Sequence, residues 1–200
     1  GIRAGCDRTT GSNNIAIGRQ TLQGTPQATT ESTGGDNIAL GYAAGECVTT
    51  GDKNIIMGYI AAKAATSGSH NLFLGSYATA GCGVVTGGCN IALGTKAGCK
   101  LTSGTKNILI GKNAGSNAAI TGKNNIFIGE YTGDNTTSGC YNAGFGDLAL
   151  GSGTLTGNYN SAVGYSALRN ISSGEYNAAI GCGAGKCVTT GCYNTLLGSQ

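Results

Sequence analysis

Thr10-Gly11-Ser12-Asn13-Asn14-Ile15-Ala16-Ile17-Gly18 is a phrase that the chain repeats, with variation, to its far end. With Asn14 as position 0, its equivalents are Asn37, Asn54, Asn71, Asn90, Asn107, Asn125, Asn142, Asn160, Asn177 and Asn194. Successive asparagines lie 17 to 19 residues apart, apart from one step of 23. Positions +4 and −3 are Gly in all eleven repeats, and position −4 is Ser or Thr in all eleven. The unit reads Ser/Thr-Gly-x-x-Asn-Φ-x-Φ-Gly, often followed by x-x-Ala-Gly. A helix-pair repeat needs more than about 30 residues. A period near 17 instead suits one coil of a parallel β-solenoid (β-roll or β-helix) with two short strands per coil, about eleven coils in all. Residues 1–200 then form a single all-β array.

Position +3 is always apolar, and +1 is Ile or Leu in the first seven repeats. Alternation along a strand puts both on one face, which this pattern predicts to be the core face. The fixed glycines are expected at the corners, where the backbone bends or takes positive φ. The Ser/Thr at −4 is expected on the second strand or its edge. Coils stacked about 4.8 Å apart align equivalent side chains into ladders, so each Asn can bond the amides above and below it. Position +2 is also apolar, from Ala16 and Ala39 to Ile56, Phe73 and Leu196. A strand apolar on both faces is covered on both, so the +2 face is expected to pack against another copy of the chain.

In the last four repeats −1 becomes Tyr141, Tyr159, Tyr176 and Tyr193, while +1 shrinks to Ala143, Ser161, Ala178 and Thr195. If −1 and +1 share one side of an extended strand, each ring fills volume its neighbour lost. The alternative is an exposed aromatic ladder that stacks on sugar rings.

Composition narrows the classes. Gly accounts for 38 of 200 residues, Pro for 1, and charged residues for only 10%. Without a Gly-X-Y period or Pro the chain is not collagen, and low charge argues against disorder. Recurrent Gly argues against helical bundles. No apolar run approaches the ~18 residues of a membrane-spanning helix. The net charge of +3 is dispersed, so no basic patch suggests a nucleic-acid partner.

Catalytic constellations are missing, and the chain is not expected to be an enzyme or to carry a cofactor. The one His, His70, occupies the −1 turn slot, expected at the surface. Gly181-Cys182-Gly183-Ala184-Gly185-Lys186 lacks the spacing of a phosphate-binding loop. The nine cysteines include no Cys-x-x-Cys pair, which argues against zinc. Cys82 and Cys99 share the −8 slot of consecutive coils. A separation of about 4.8 Å is within disulfide range, so extracellular cross-linking and small thiols buried at corners are both open readings. An odd count leaves at least one thiol free or paired between chains. Asn135-Thr136-Thr137 and Asn170-Ile171-Ser172 match glycosylation sequons.

The phrase at Thr10–Gly18 resembles the head repeats of trimeric autotransporter adhesins, and it is similar to β-roll repeats of phage and large-virus tail fibres. The resemblance covers essentially the whole chain. It implies a left-handed roll, three chains around one axis, and an adhesive or spacer role outside the cell, at the cell surface or on a virion. The expected partners are further copies of the chain, side by side or end to end, and a surface glycan or receptor. Aromatic faces stack on sugars, which makes Tyr42, Tyr59 and Tyr165 at +5 the candidate glycan contacts. Gly1 and Gly198 both fall in the +4 slot, so the array is expected to continue as a longer fibre, covalent or stacked. The stretch from Gln23 to Ser32, with the only Pro, is expected to bulge as a surface loop.

Overall fold

A computed structural model describes residues 1–6, 10–24, 32–79 and 84–200. It contains eleven three-residue strands, one per repeat and each spanning +1 to +3: β1 (Ile15–Ile17), β2 (Ile38–Leu40), β3 (Ile55–Met57), β4 (Leu72–Leu74), β5 (Ile91–Leu93), β6 (Ile108–Ile110), β7 (Ile126–Ile128), β8 (Ala143–Phe145), β9 (Ser161–Val163), β10 (Ala178–Ile180) and β11 (Thr195–Leu197). They form one parallel sheet in chain order. Equivalent positions pair directly, as Ile108 with Ile126 and Ile110 with Ile128. This is an all-β parallel solenoid, without a helix among the described residues. Most of the insertion after Gln23 lies outside those residues.

The expected second strand is reduced to single bridges, Ala65 to Val85, Leu101 to Ile120 and Thr136 to Leu155. The inward residue of that wall is at −6 in some coils (Leu101, Thr136, Ile171) and at −5 in others (Val85, Ile120, Leu155). Each bridge joins a −6 residue to the −5 residue of the next coil.

The core lies on the opposite face of the strand from the one expected. Position +2 points inward, with Ala39, Ile56, Phe73, Leu109, Phe127 and Ala179 fully buried. No residue at +1 or +3 is buried, and Ile17 is 62% exposed. Alternation separates two faces without saying which is interior. What settles it is volume inside each coil. In some coils a large +2 residue opposes glycine at +8, as Phe127 with Gly133, whose Cβ would strike the Phe127 ring. In others a small +2 residue opposes leucine, as Ala162 with Leu168, both buried. Gly144 and Leu150 are another such pair, a Cβ on Gly144 falling 3.3 Å from Leu150 Cδ1. Compensation of this kind marks two side chains sharing one interior space. Where both are small, as Ala39 and Gly45, side chains of the neighbouring coils fill the space, Ile56 Cδ1 and Leu22 Cδ2 each lying 2.9 Å from a Cβ on Gly45.

The two fixed glycines are required for different reasons. At +4, Gly94 has φ +129, and a Cβ there would lie 2.8 Å from the Gly111 carbonyl oxygen of the next coil. At −3, Gly104 lacks a positive φ, but its Cβ would come 2.7 Å from the Gly122 oxygen. Glycine stacks on glycine because the next coil already occupies the Cβ position. The remaining tight corners use left-handed residues with side chains, at −1, +6 and +8, including Lys53, Ile60 and Leu168.

Candidate interaction face

The asparagine column fixes where each strand begins. Asn107 donates from its backbone N–H to Asn90 Oδ1 at 2.9 Å. Its amide Nδ2 donates to the same oxygen at 3.3 Å and to the Gly122 carbonyl at 3.0 Å. Its own Oδ1 accepts from the backbone N–H and the Nδ2 of Asn125, each at 3.0 Å. The column runs from Asn14 to Asn194, and the members between them are buried. A buried amide whose donors and acceptor are satisfied stabilises the stack and has nothing to offer a ligand. Its effect on the surface is indirect: with position 0 pinned in every coil, all +1 and +3 side chains emerge in two straight columns.

Those columns make an apolar ribbon along the rod. Ile15, Ile17, Ile55, Phe145, Val163, Ile180 and Leu197 are exposed on it, and the remaining +1 and +3 side chains of coils two to seven are half-buried by their neighbours. Position −1 borders one edge of the ribbon and +5 the other.

Along the +5 edge the Arg19 guanidinium sits 5.9 Å above the Tyr42 ring. Tyr42 stacks on Tyr59 at 5.3 Å, and Tyr59 meets Tyr77, at +6, edge-on at 5.5 Å. Farther on, Lys112 Nζ lies 2.9 Å from Glu130 Oε1, and Asp147 accepts the Glu130 N–H at 2.9 Å. Tyr165 is 55% exposed and, among the described residues, touches no other ring. Of the three candidate glycan contacts it alone has no ring stacked on it, since Tyr42 and Tyr59 stack on each other.

Along the −1 edge Tyr141, Tyr159, Tyr176 and Tyr193 stand in one stack. Centroids are 4.9, 4.9 and 5.0 Å apart, with planes within 10° of parallel. The premise that −1 continues an extended strand is corrected here. Every −1 residue is left-handed, with φ 55 to 58 for the four tyrosines, and the turn swings their rings outward. The rings are exposed, 44 to 48% for the first three, so they do not fill a closed packing layer inside the chain. Their faces are used on one another, and the stack presents edges and hydroxyls. Confinement of the Tyr176 ring between its neighbours, with the charges of Tyr159, Tyr193 and Glu175, holds its phenol above the ordinary value.

Thiols are spread over the rod. Cys6, Cys89, Cys182, Cys187 and Cys192 are exposed; Cys47 and Cys140 are half-buried, and all seven are free. Burial, and then the adjacent Glu46 carboxylate, raise the Cys47 thiol against an opposing effect of Lys63. Cys99 is half-buried, and its proposed partner Cys82 lies outside the described residues. Among those residues no cluster of His, Cys, Asp and Glu is arranged to hold a metal ion. His70 is exposed at its left-handed corner. Compared with protein-family models, curated proteins and solved structures, the chain matches none.

Two features of this face were missed by the sequence reading. The outward ribbon was placed inside, and the only signal against that was partial, since inverse volumes at +2 and +8 occur in some coils, as Phe127 with Gly133 and Ala162 with Leu168, but not in others, as Ala92 with Gly98. The left-handed −1 residue had a weaker signal: Asn, Asp, Lys, His and Cys fill that slot in the other coils, a turn composition rather than a strand composition.

Proposed function

We propose that this chain is a structural fibre element that assembles side by side with copies of itself through the +1/+3 ribbon, three to a fibre, and serves outside the cell or on a virion as an adhesive head, stalk or tail fibre. The observation that carries the reading is the ribbon of +1 and +3 side chains, apolar in every coil apart from Ser161 and Thr195 at +1. Eleven coils at about 4.8 Å make it about 50 Å long, and two side-chain columns make it about 10 Å wide. That is about 500 Å² per chain, at the upper end of the apolar patches monomers expose. The mixed polar and aromatic borders at −1 and +5 widen the face to about 15 Å, or about 750 Å², close to the ~800 Å² each partner contributes to a stable complex with a polar rim. The number three and the setting rest on the likeness of the repeat phrase to adhesin heads and tail fibres. Sedimentation equilibrium at micromolar concentration tests the reading. A mass of three chains is expected, and a monomer overturns it.

A second reading has one observation in its favour, the open ring of Tyr165. A glycan-binding site on the fibre flank would use that face. Binding on a glycan array is then expected to be lost in Tyr165→Ala while sedimentation is unchanged. An array with no bound glycan removes this reading and leaves the first untouched.

A further inference from the structure

Four consecutive coils place a Tyr at the left-handed −1 corner and, beside it, a small +1 residue. The result is a trough along coils eight to eleven. Its floor is Ala143, Ser161, Ala178 and Thr195, one wall is the stack of ring edges, and the other is the exposed +3 column from Phe145 to Leu197.

Resting on the self-association proposed above, we infer that this trough is a docking seam for a second copy of the chain, running parallel and in register. Two parallel copies meeting face to face are related by rotation about an axis along the fibre. That rotation exchanges the edges of the ribbon, so +1 of one copy lies against +3 of the next in the same coil, and −1 lies against +5. The residues are complementary under this exchange. Phe145, the largest +3 side chain, faces Ala143 of the next copy, and Ile180 faces Ala178. The exposed Tyr141 hydroxyl faces the exposed Asp147 carboxylate, which can accept its proton in a hydrogen bond. The same register sets Lys106 against Lys112, whose charge is paired with Glu130 at 2.9 Å.

Cross-linking tests the register. Tyr176→Cys is introduced in a Cys192→Ser background, which removes the thiol one coil away. The variant keeps a conformation the chain already holds, since Cys89 occupies the same −1 slot with φ 60. Within one chain, −1 and +5 are on the order of 15–20 Å apart along the strand, beyond disulfide reach. Oxidised glutathione is the acceptor of the two electrons as two thiols join and release two protons. The expected product is a disulfide from Cys at 176 of one copy to Cys182 of the next, mapped by mass spectrometry and abolished by adding Cys182→Ser. Each copy then carries one link in each direction, so a non-reducing gel shows a closed covalent ring, trimeric for three-fold assembly. A chain that sediments as an oligomer but gives no 176–182 link overturns the seam and keeps the association. A chain that sediments as a monomer overturns both. As a second measurement, Tyr141→Phe is expected to weaken assembly roughly tenfold with an unchanged circular dichroism spectrum. Unaltered assembly removes Tyr141 and Asp147 from the seam.

Discussion

A single asparagine in this fold serves three coils at once. Asn107 donates two bonds to Asn90 Oδ1, from its backbone N–H and its Nδ2, donates one to the Gly122 carbonyl, and accepts two from Asn125. Alanine there removes the donor to the Gly122 carbonyl and the acceptor for two buried groups of Asn125, while Asn90 Oδ1 keeps the backbone N–H of residue 107. Each buried group left unpaired costs about 1–3 kcal/mol. Asn107→Ala is therefore expected to destabilise the solenoid by about 3 kcal/mol or more, read from urea unfolding followed by circular dichroism. A loss below about 1 kcal/mol would mean that water replaces the amide and that the column is less tightly closed than its distances imply. Glycine at +4 is similarly singular. Side chains are accepted at +8, where φ is near 50 to 60, but not at +4, where Gly94 has φ +129 and the next coil's carbonyl fills the space.

At the scale of the coil, stability is a matter of volume shared between the strand and its facing corner. Phe127→Ala opens a cavity beside Gly133 and is expected to cost about 3–5 kcal/mol. Adding Gly133→Leu should recover more than half of that loss. The doubled variant reproduces the Ala162–Leu168 pairing, and Leu168 holds the same left-handed corner at φ 46. If the double variant is no better than the single one by urea unfolding, the +2 and +8 side chains do not share one space. The aromatic ladder gives a prediction in pH. The Tyr176 phenol is raised in the folded chain, first by confinement and then by neighbouring charge. The neutral form is the one favoured by folding. Its contribution is fully present below the unfolded value of about 10 and is lost as pH rises through the folded value. Thermal stability should therefore fall above about pH 10, and less steeply in Tyr176→Phe. Identical alkaline profiles for the two proteins would contradict this.

For the whole rod, the apolar ribbon is the dominant unsatisfied surface. Ile110 stands at its middle, half-buried by its neighbours in a +3 column and pointing away from the core. Ile110→Asp leaves the interior volume untouched but places a carboxylate where copies are proposed to meet. It is expected to sediment as a monomer with a wild-type circular dichroism spectrum, because burying an unpaired charge outweighs the area gained. An assembly as large as the unaltered one would move the contact elsewhere on the rod.

The eleven-fold phrase was sufficient to give the solenoid, the coil length, the parallel stacking and the asparagine column. Each of these follows from identical residues recurring at a period that a stack of short coils aligns, although the second strand expected in each coil is reduced to isolated bridges. The reading failed where the sequence is symmetric. A three-residue strand with apolar side chains on both faces carries no sign of which face is interior, and +1 and +3 looked as suited to a core as +2. Only closure of the coil decides, because Phe127 needs the room that Gly133 leaves and Ala162 needs the bulk of Leu168. The same holds at −1. Tyr141, Tyr159, Tyr176 and Tyr193 read as an extension of the strand until the left-handed turn, set by stacking the preceding glycines carbonyl to Cα, directs their rings outward into a column. Periodicity fixes what recurs along the axis, and the tertiary path of each coil fixes which side of it faces the solvent.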